Sequence, residues 1–273
     1  DYSPLQTTMP PLSPVAWSNF ITGMNPGGHG VFDFLHRESD TREMYPPTYR
    51  VLPTGRSVSV GSWDFPLTGS DIELFRRGPA LWKLLDDAGI PTTVFRMPMN
   101  FPPVDSGGRS FSGMGTPDIK GGAGTYSYYT DYPPENMNDL ADGTGGQLVE
   151  VINDRVSAQL IGPPNTFRRF PRNDGAPRSG DTEIEYENPE LTVDFEVLLD
   201  PEAPAAKFVV QDTEFIVNQG EWSDWVAFDF EAVPYLVSIG AAARFYLQEV
   251  RPDFRLYVTP FQIDPANPAL PVS

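Results

Sequence analysis

The sequence of 273 residues contains no cysteine, which excludes disulfides, thiolate zinc sites and a cysteine nucleophile. Positive charge is scarce: 19 Lys and Arg stand against 37 Asp and Glu, a formal net charge of −18. Such a surface repels phosphate backbones and anionic headgroups, so no nucleic-acid partner is expected and direct binding to anionic membranes is disfavoured. Acidity of this kind serves solubility or a basic, cation-presenting protein partner. No apolar run approaches the roughly 18–20 residues needed to span a bilayer, and no signal peptide is visible. The chain opens on Asp1 instead of Met, so removal of an upstream segment is expected, and an extracytoplasmic (periplasmic) location is preferred.

What is present describes a globular protein. Hydrophobic residues make up 40% and aromatics 12%, and a chain of this length can bury a real core. The 30 Pro and 24 Gly imply many turns and short strands. They follow no period, which excludes collagen-like and solenoid folds.

Two regions differ in texture. In residues 1–145, Trp17 to Ile21 follows a Pro-rich lead-in and predicts a first helix, closed by Gly23. Pro79 to Ala88 predicts an amphipathic helix with Leu81, Trp82, Leu84 and Leu85 on its apolar face and Gly89 as its stop. Ile90 to Met97 then reads as a buried strand. Helix, Gly, strand in that order predicts an α/β unit: a parallel sheet with covering helices. In residues 146–273 the signals are short strands at 147–152, 156–161, 191–199, 207–211, 214–218, 225–230 and 255–259, several of them alternating as in LTVDFEVLL. Turn residues separate them, which predicts an antiparallel sandwich or barrel. The boundary falls near residue 145 in DGTGG, residues 171–180 form an exposed loop, and a Pro-rich tail runs from Asp264 to Ser273.

The most informative stretch is Met9 to Phe34, MPPLSPVAWSNFITGMNPGGHGVFDF: a Ser, a short helix, then TG, a Pro and GGHG. Downstream come LWKLLDDAGI, TTVFRMPMNFPP, GRSFSGMGTPD, GEWSDWV and the stretch from ARFYLQEV to the C-terminus. Taken in order, these resemble the alkaline phosphatase superfamily, in its type I phosphodiesterase and nucleotide pyrophosphatase-like branch (phosphohydrolase and phosphomutase relatives). Nearly the whole chain is covered. The resemblance implies a partial α/β alkaline-phosphatase-like parallel-sheet core with a β-rich second region. It also implies a two-metal hydrolase, with zinc or manganese, whose nucleophile is a Ser or Thr at a helix N-terminus. Counting back from Thr22 and Gly23, Ser13 matches that nucleophile and its role as metal co-ligand. Helix N–H groups and a divalent cation both favour an alkoxide and an incoming phosphate. A Ser before Pro also commonly caps a helix, and that alternative stands beside the first.

The chain departs from the family pattern at the metal ligands, which are three Asp and three His. No strand with a GxD-like signal precedes Ser13, and the sequence ends at ALPVS, before the later ligands are expected. The chain contains only His29 and His36. His29 reads as a loop hydrogen-bonding residue and His36 as an exposed polar one; a His–His site with Asp33 or Asp40 is the competing reading, although residues seven apart share no helical face. Without metals, Ser13 has nothing to lower its pKa. The pairs Asp86–Asp87 and Glu183–Glu185 invite comparison with glycosidase carboxylates, but adjacent helix residues diverge and alternate strand residues face solvent. GGAG at 121–124 lacks the strand and the Lys-Ser/Thr of a phosphate loop. YSYY at 126–129 reads as a packed loop or as a platform for sugar or a partner. Trp222 and Trp225 read as sheet core.

Two functions follow. One is a non-catalytic structural or accessory subunit, derived from the hydrolase and docking onto a larger protein assembly; an accessory subunit of a membrane complex fits it. The alternative is a fragment of an active two-metal phosphodiesterase or phosphatase with Ser13 as nucleophile.

Overall fold

A computed structural model describes residues 3–4, 6–40, 42, 44–52, 56–67, 71–122, 124–132, 146–171 and 186–264. The expected boundary in DGTGG and the expected tail beyond Asp264 lie outside these residues. Among the described residues the chain divides into two units: one up to Ser57 together with Pro66–Thr116, the other holding Val58–Phe65 and the residues from Pro117 to Asp264.

In the first unit the helix Ser13–Thr22 begins after an extended Leu12 and carries Pro14 in its first turn, where a missing N–H costs nothing. Gly23 closes it at φ 68°, donating its N–H to the Asn19 carbonyl, a left-handed stop that suits glycine. Val15, Ser18 and Ile21 form its buried face. Ser18 Oγ donates to the Pro14 carbonyl at 2.7 Å, so this buried hydroxyl is satisfied within its own helix. The second expected helix is Leu81–Asp87. Trp82 is its buried residue, packed with Ile21, Ala80 and Val94, whereas Leu81 and Leu84, expected on the apolar face, are exposed.

The expected parallel-sheet core is corrected by this unit. Its described strands form pairs only: His36–Arg37 with Met44–Tyr45, Tyr49–Leu52 with Asp71–Leu74, and Thr93–Met97 with Arg109–Ser112. The last pair is parallel. A parallel sheet is normally buried on both faces. Here Val94 packs inward, but Phe95 and Phe111 stack on the outer face, ring centroids 5.6 Å apart, and are 75% and 53% exposed. The strand also breaks at Arg96, whose φ of 54° coincides with a register shift between Phe95 and Met97. The local helix, Gly, strand signal is real, but the neighbours that would make it an α/β core are not found among the described residues. The chain is mostly β.

The core of the second unit lies among three sheets of three or four strands; two further two-stranded pairs, Ser57–Val60 with Trp63–Pro66 and Phe170–Pro171 with Tyr186–Glu187, belong to the same part of the chain. Arg155–Pro164, Glu190–Leu199, Ala205–Val210 and Thr213–Asn218 form an antiparallel sheet in that order. Phe245–Glu249, Arg255–Val258 and Ser127–Thr130 form another, antiparallel, with Gly146–Leu148 added in parallel at its edge. Val226–Val233, Val237–Ala243 and Gln262–Ile263 form the third, also antiparallel. Strict alternation in Glu190–Leu199 sends Leu191, Val193, Phe195, Val197 and Leu199 inward. Phe195 meets Tyr129 and Phe245 from the second sheet at centroid distances of 5.1 and 6.1 Å. Each aromatic side chain buried this way contributes about 1.5–3 kcal/mol, and the edge-to-face arrangement adds to it.

Candidate functional site

Ser13 is the first residue of its helix and is half-buried; the residue at the cap position is Leu12, and no side-chain capping bond forms there. His29 is fully buried. Its Nδ1 accepts from the Val31 N–H at 3.1 Å and its Nε2 lies 2.6 Å from the Asn19 side-chain amide, so both ring nitrogens are used inside the fold. Burial first, and the nearby Arg76 charge second, push the His29 pKa below the usual histidine range. His36 is half-buried, not exposed, and its Nε2 accepts from the Phe32 N–H. Asp33 accepts from the next residue's N–H. Asp86 accepts from the Gly107 N–H at 2.7 Å, while Asp87 pairs with Lys83; the two neighbours do separate structural work. Glu183 and Glu185 lie outside the described residues. Among the described residues no group of three or more His, Asp or Glu side chains stands together to hold a metal ion. The two-metal ligand set implied by the family resemblance is therefore not assembled by them, and the chemistry of Ser13 receives no metal from these neighbours.

A different set of residues does come together. In the sheet of the second unit, Tyr246 stands opposite Tyr257, and Tyr257 opposite Tyr128. Trp222 bridges to Tyr246 on the far side. Strand alternation turns Tyr129, Leu256 and Leu247 into the core and leaves Trp222, Tyr246, Tyr257 and Tyr128 in one row on the outer face, Trp222 exposed and the three tyrosines half-buried. Trp222 is 43% and Trp225 58% exposed, which corrects the expectation that both belong to the sheet core. Tyr126 joins the row beside Tyr257, centroids 5.1 Å apart. Of the YSYY stretch, then, Tyr129 is core and Tyr126 and Tyr128 belong to the face.

The row has defined geometry. Trp222 and Tyr246 are tilted at 37° with centroids 4.9 Å apart, and Trp222 meets Tyr257 edge-on at 88°. The Arg244 guanidinium lies 5.5 Å from the Trp222 ring and donates from Nε to the Ser223 carbonyl, a cation–π contact that fixes the indole. Arg255 is neutralised by Glu249 and Asp253 at 3.3 and 3.2 Å. Burial raises the pKa of the Tyr128 and Tyr257 hydroxyls, so both are neutral hydrogen-bonding groups at ordinary pH. Side chains of this type carry a large apolar body and a polar tip, the combination enriched at protein interfaces.

Sequence reasoning missed a third feature. Asp118, in the loop before GGAG, is buried. Its Oδ1 accepts from the Lys120 and Gly122 N–H groups and its Oδ2 from the Thr125 N–H, at 2.8–3.0 Å. It leads the chain into Tyr126 and the aromatic face. The usable signal was an Asp followed closely by glycines, a pattern that favours local carboxylate-to-backbone bonding.

Comparison with protein-family models, with curated proteins and with solved structures found no match.

Proposed function

We propose that the chain acts as an accessory module that docks onto a protein partner through the outer face formed by Trp222, Tyr246, Tyr257, Tyr128 and Tyr126. The observation that carries this reading is the cross-strand row of half-buried aromatics on the outer face, in register over three strands and continued to the exposed Trp222. An acidic chain of net charge −18 complements a basic protein surface, and charge of that sign favours encounter with it. A saccharide is the less suitable occupant, because sugar rings lie flat on coplanar aromatics and the 88° angle between Trp222 and Tyr257 breaks such a plane.

The test is size-exclusion and cross-linking mass spectrometry on the protein in extracts of its source. The wild type should migrate in an assembly larger than its own 30.2 kDa, with cross-links from the aromatic face to one basic partner. Trp222→Ala combined with Tyr257→Ser should migrate alone with unchanged thermal stability. A variant that stays in the assembly, or a wild type that migrates alone, sinks the reading; binding of soluble oligosaccharides by the isolated chain would replace it with a sugar-binding one.

A second reading, that of a two-metal phosphodiesterase fragment, is favoured by the position of Ser13 at the start of the helix Ser13–Thr22. It requires metal ligands from outside the described residues. Metal analysis of the native protein, with hydrolysis of an aryl phosphodiester by wild type and Ser13→Ala, separates it from the docking reading.

A further inference from the structure

The parallel pair of the first unit has an unusual set of buried polar groups at its C-terminal end. Arg76 is only 4% exposed. Its Nη1 donates to the Met99 carbonyl at 2.5 Å, while its Nη2 is buried with no partner among the described residues. Those residues also give it no carboxylate counter-ion. Burial pushes its pKa down to about 10, which still leaves it charged at neutral pH. A buried, unpaired cation is among the most expensive arrangements a fold can hold.

Next to its acceptor lies Asn100, fully buried. Asn100 donates from Nδ2 to Ser110 Oγ and accepts from Ser112 Oγ on its backbone carbonyl, yet its side-chain carbonyl oxygen has no partner among the described residues. Arg76 thus offers an unused donor beside the Met99 carbonyl, and the next residue, Asn100, an unused acceptor. The backbone here is held under strain: Arg96 and Met99 have φ of 54° and 57°, the left-handed region that side chains rarely adopt. Gly115 permits it, since a Cβ there would stand 2.8 Å from Met99 Sδ. Strain that the surrounding structure holds in place is concentrated at binding and catalytic sites. Met97 and Ser112 are the last residues of these two strands, so these groups gather at one end of the parallel pair.

We propose that Arg76 and Asn100 form a binding site for a small oxyanion, a phosphate ester or a carboxylate, at the C-terminal end of the strands Thr93–Met97 and Arg109–Ser112. The planar guanidinium presents paired donors to either group, and the Asn100 carbonyl takes a hydroxyl or N–H from the rest of the ligand. This site is independent of the aromatic face and stands or falls without it.

The experiment is isothermal titration and thermal denaturation of the full chain with inorganic phosphate and, separately, acetate, in chloride buffer of matched ionic strength. A ligand that binds the folded state alone raises the melting temperature as its concentration rises. Wild type should respond to at least one of the two anions. Arg76→Lys should bind at least tenfold more weakly, Arg76→Met should show no response, and Arg77→Ala, a change at an exposed neighbour, should behave as wild type. Response to phosphate alone assigns a phosphate ester, and response to acetate alone assigns a carboxylate. A wild type indifferent to both anions overturns the proposal, as does an Arg76→Met protein that still responds. Where Arg76→Met does not fold, Arg76→Lys decides: wild-type affinity in that variant overturns it.

Discussion

Gly162 and Phe230 occupy each other's space: a Cβ on Gly162 would lie 2.5 Å from Cε1 of the Phe230 ring. Phe230 belongs to the strand Val226–Val233 and Gly162 to the strand Arg155–Pro164, so this contact is one point at which the sheets of these two strands meet. Glycine inside a strand marks such an approach. Gly162→Ala should therefore destabilise the unit by about 1–3 kcal/mol, the usual cost of overpacking a core. Urea denaturation followed by tryptophan fluorescence measures it. A change within about 0.5 kcal/mol, the range of ordinary surface substitutions, would show that the ring moves aside freely.

Asp118 accepts three backbone N–H groups from Lys120, Gly122 and Thr125. Asp118→Ala strands all three donors in a part-buried setting, and each fully buried unsatisfied group would cost about 1–3 kcal/mol. Partial rescue by water and loop relaxation brings the expected loss to about 2–4 kcal/mol. Asp118→Asn keeps one good acceptor and should lose less. Equal stability of the Ala variant and the wild type in calorimetry would refute this role for the carboxylate.

The parts of this fold legible in the sequence are those decided by local pattern. The alternation of Leu191, Val193, Phe195, Val197 and Leu199 announces a half-buried strand whatever its neighbours. The helix ending at Gly23 is marked by the glycine itself. What neighbours decide was not legible. Ile90 to Met97 reads as a buried strand, yet Phe95 is exposed because the strand has a single partner and a bend at Arg96. Trp222 and Trp225 read as core by residue type, but the register opposite Tyr246 puts Trp222 on the outside. The burial of Arg76 has no sequence signal at all, since an Arg beside a second Arg in FRRGP looks like a surface pair. The Ser13 segment illustrates the same limit: a motif places a helix start, and only distant residues can supply a metal.

His29 gives the first unit a pH dependence with a definite sign. Its folded pKa lies below the ordinary value of 6.5, chiefly through burial and then through Arg76. Between the folded and unfolded values the unfolded chain binds the extra proton, so stability rises with pH across that window. Full stability is present above about 6.5 and is lost as pH falls towards the folded value. His29→Gln should flatten this slope between pH 5 and about 7. Melting temperatures of the two proteins over that range are the check, and parallel curves would remove His29 from the account.

Tyr129 sets the corresponding limit at alkaline pH for the second unit. It is fully buried, and its hydroxyl donates to the Gln159 carbonyl at 2.8 Å, joining the strand Ser127–Thr130 to the strand Arg155–Pro164. Burial pushes its pKa far above that of a free phenol. The group is a weak acid with a raised folded pKa, so its contribution is complete below the unfolded value of about 10 and declines as pH rises beyond it, where only the unfolded chain readily ionises. Tyr129→Phe loses one buried hydrogen bond, about 1 kcal/mol, and leaves the Gln159 carbonyl with the Gln147 amide as its side-chain donor at 3.1 Å. At pH 8 the variant should therefore melt below wild type. Towards pH 11 the gap should close, because wild type alone bears the cost of keeping this phenol protonated. A gap that stays constant with pH would mean that Tyr129 ionises inside the fold, and that its burial costs the phenolate far less than its fully enclosed position demands.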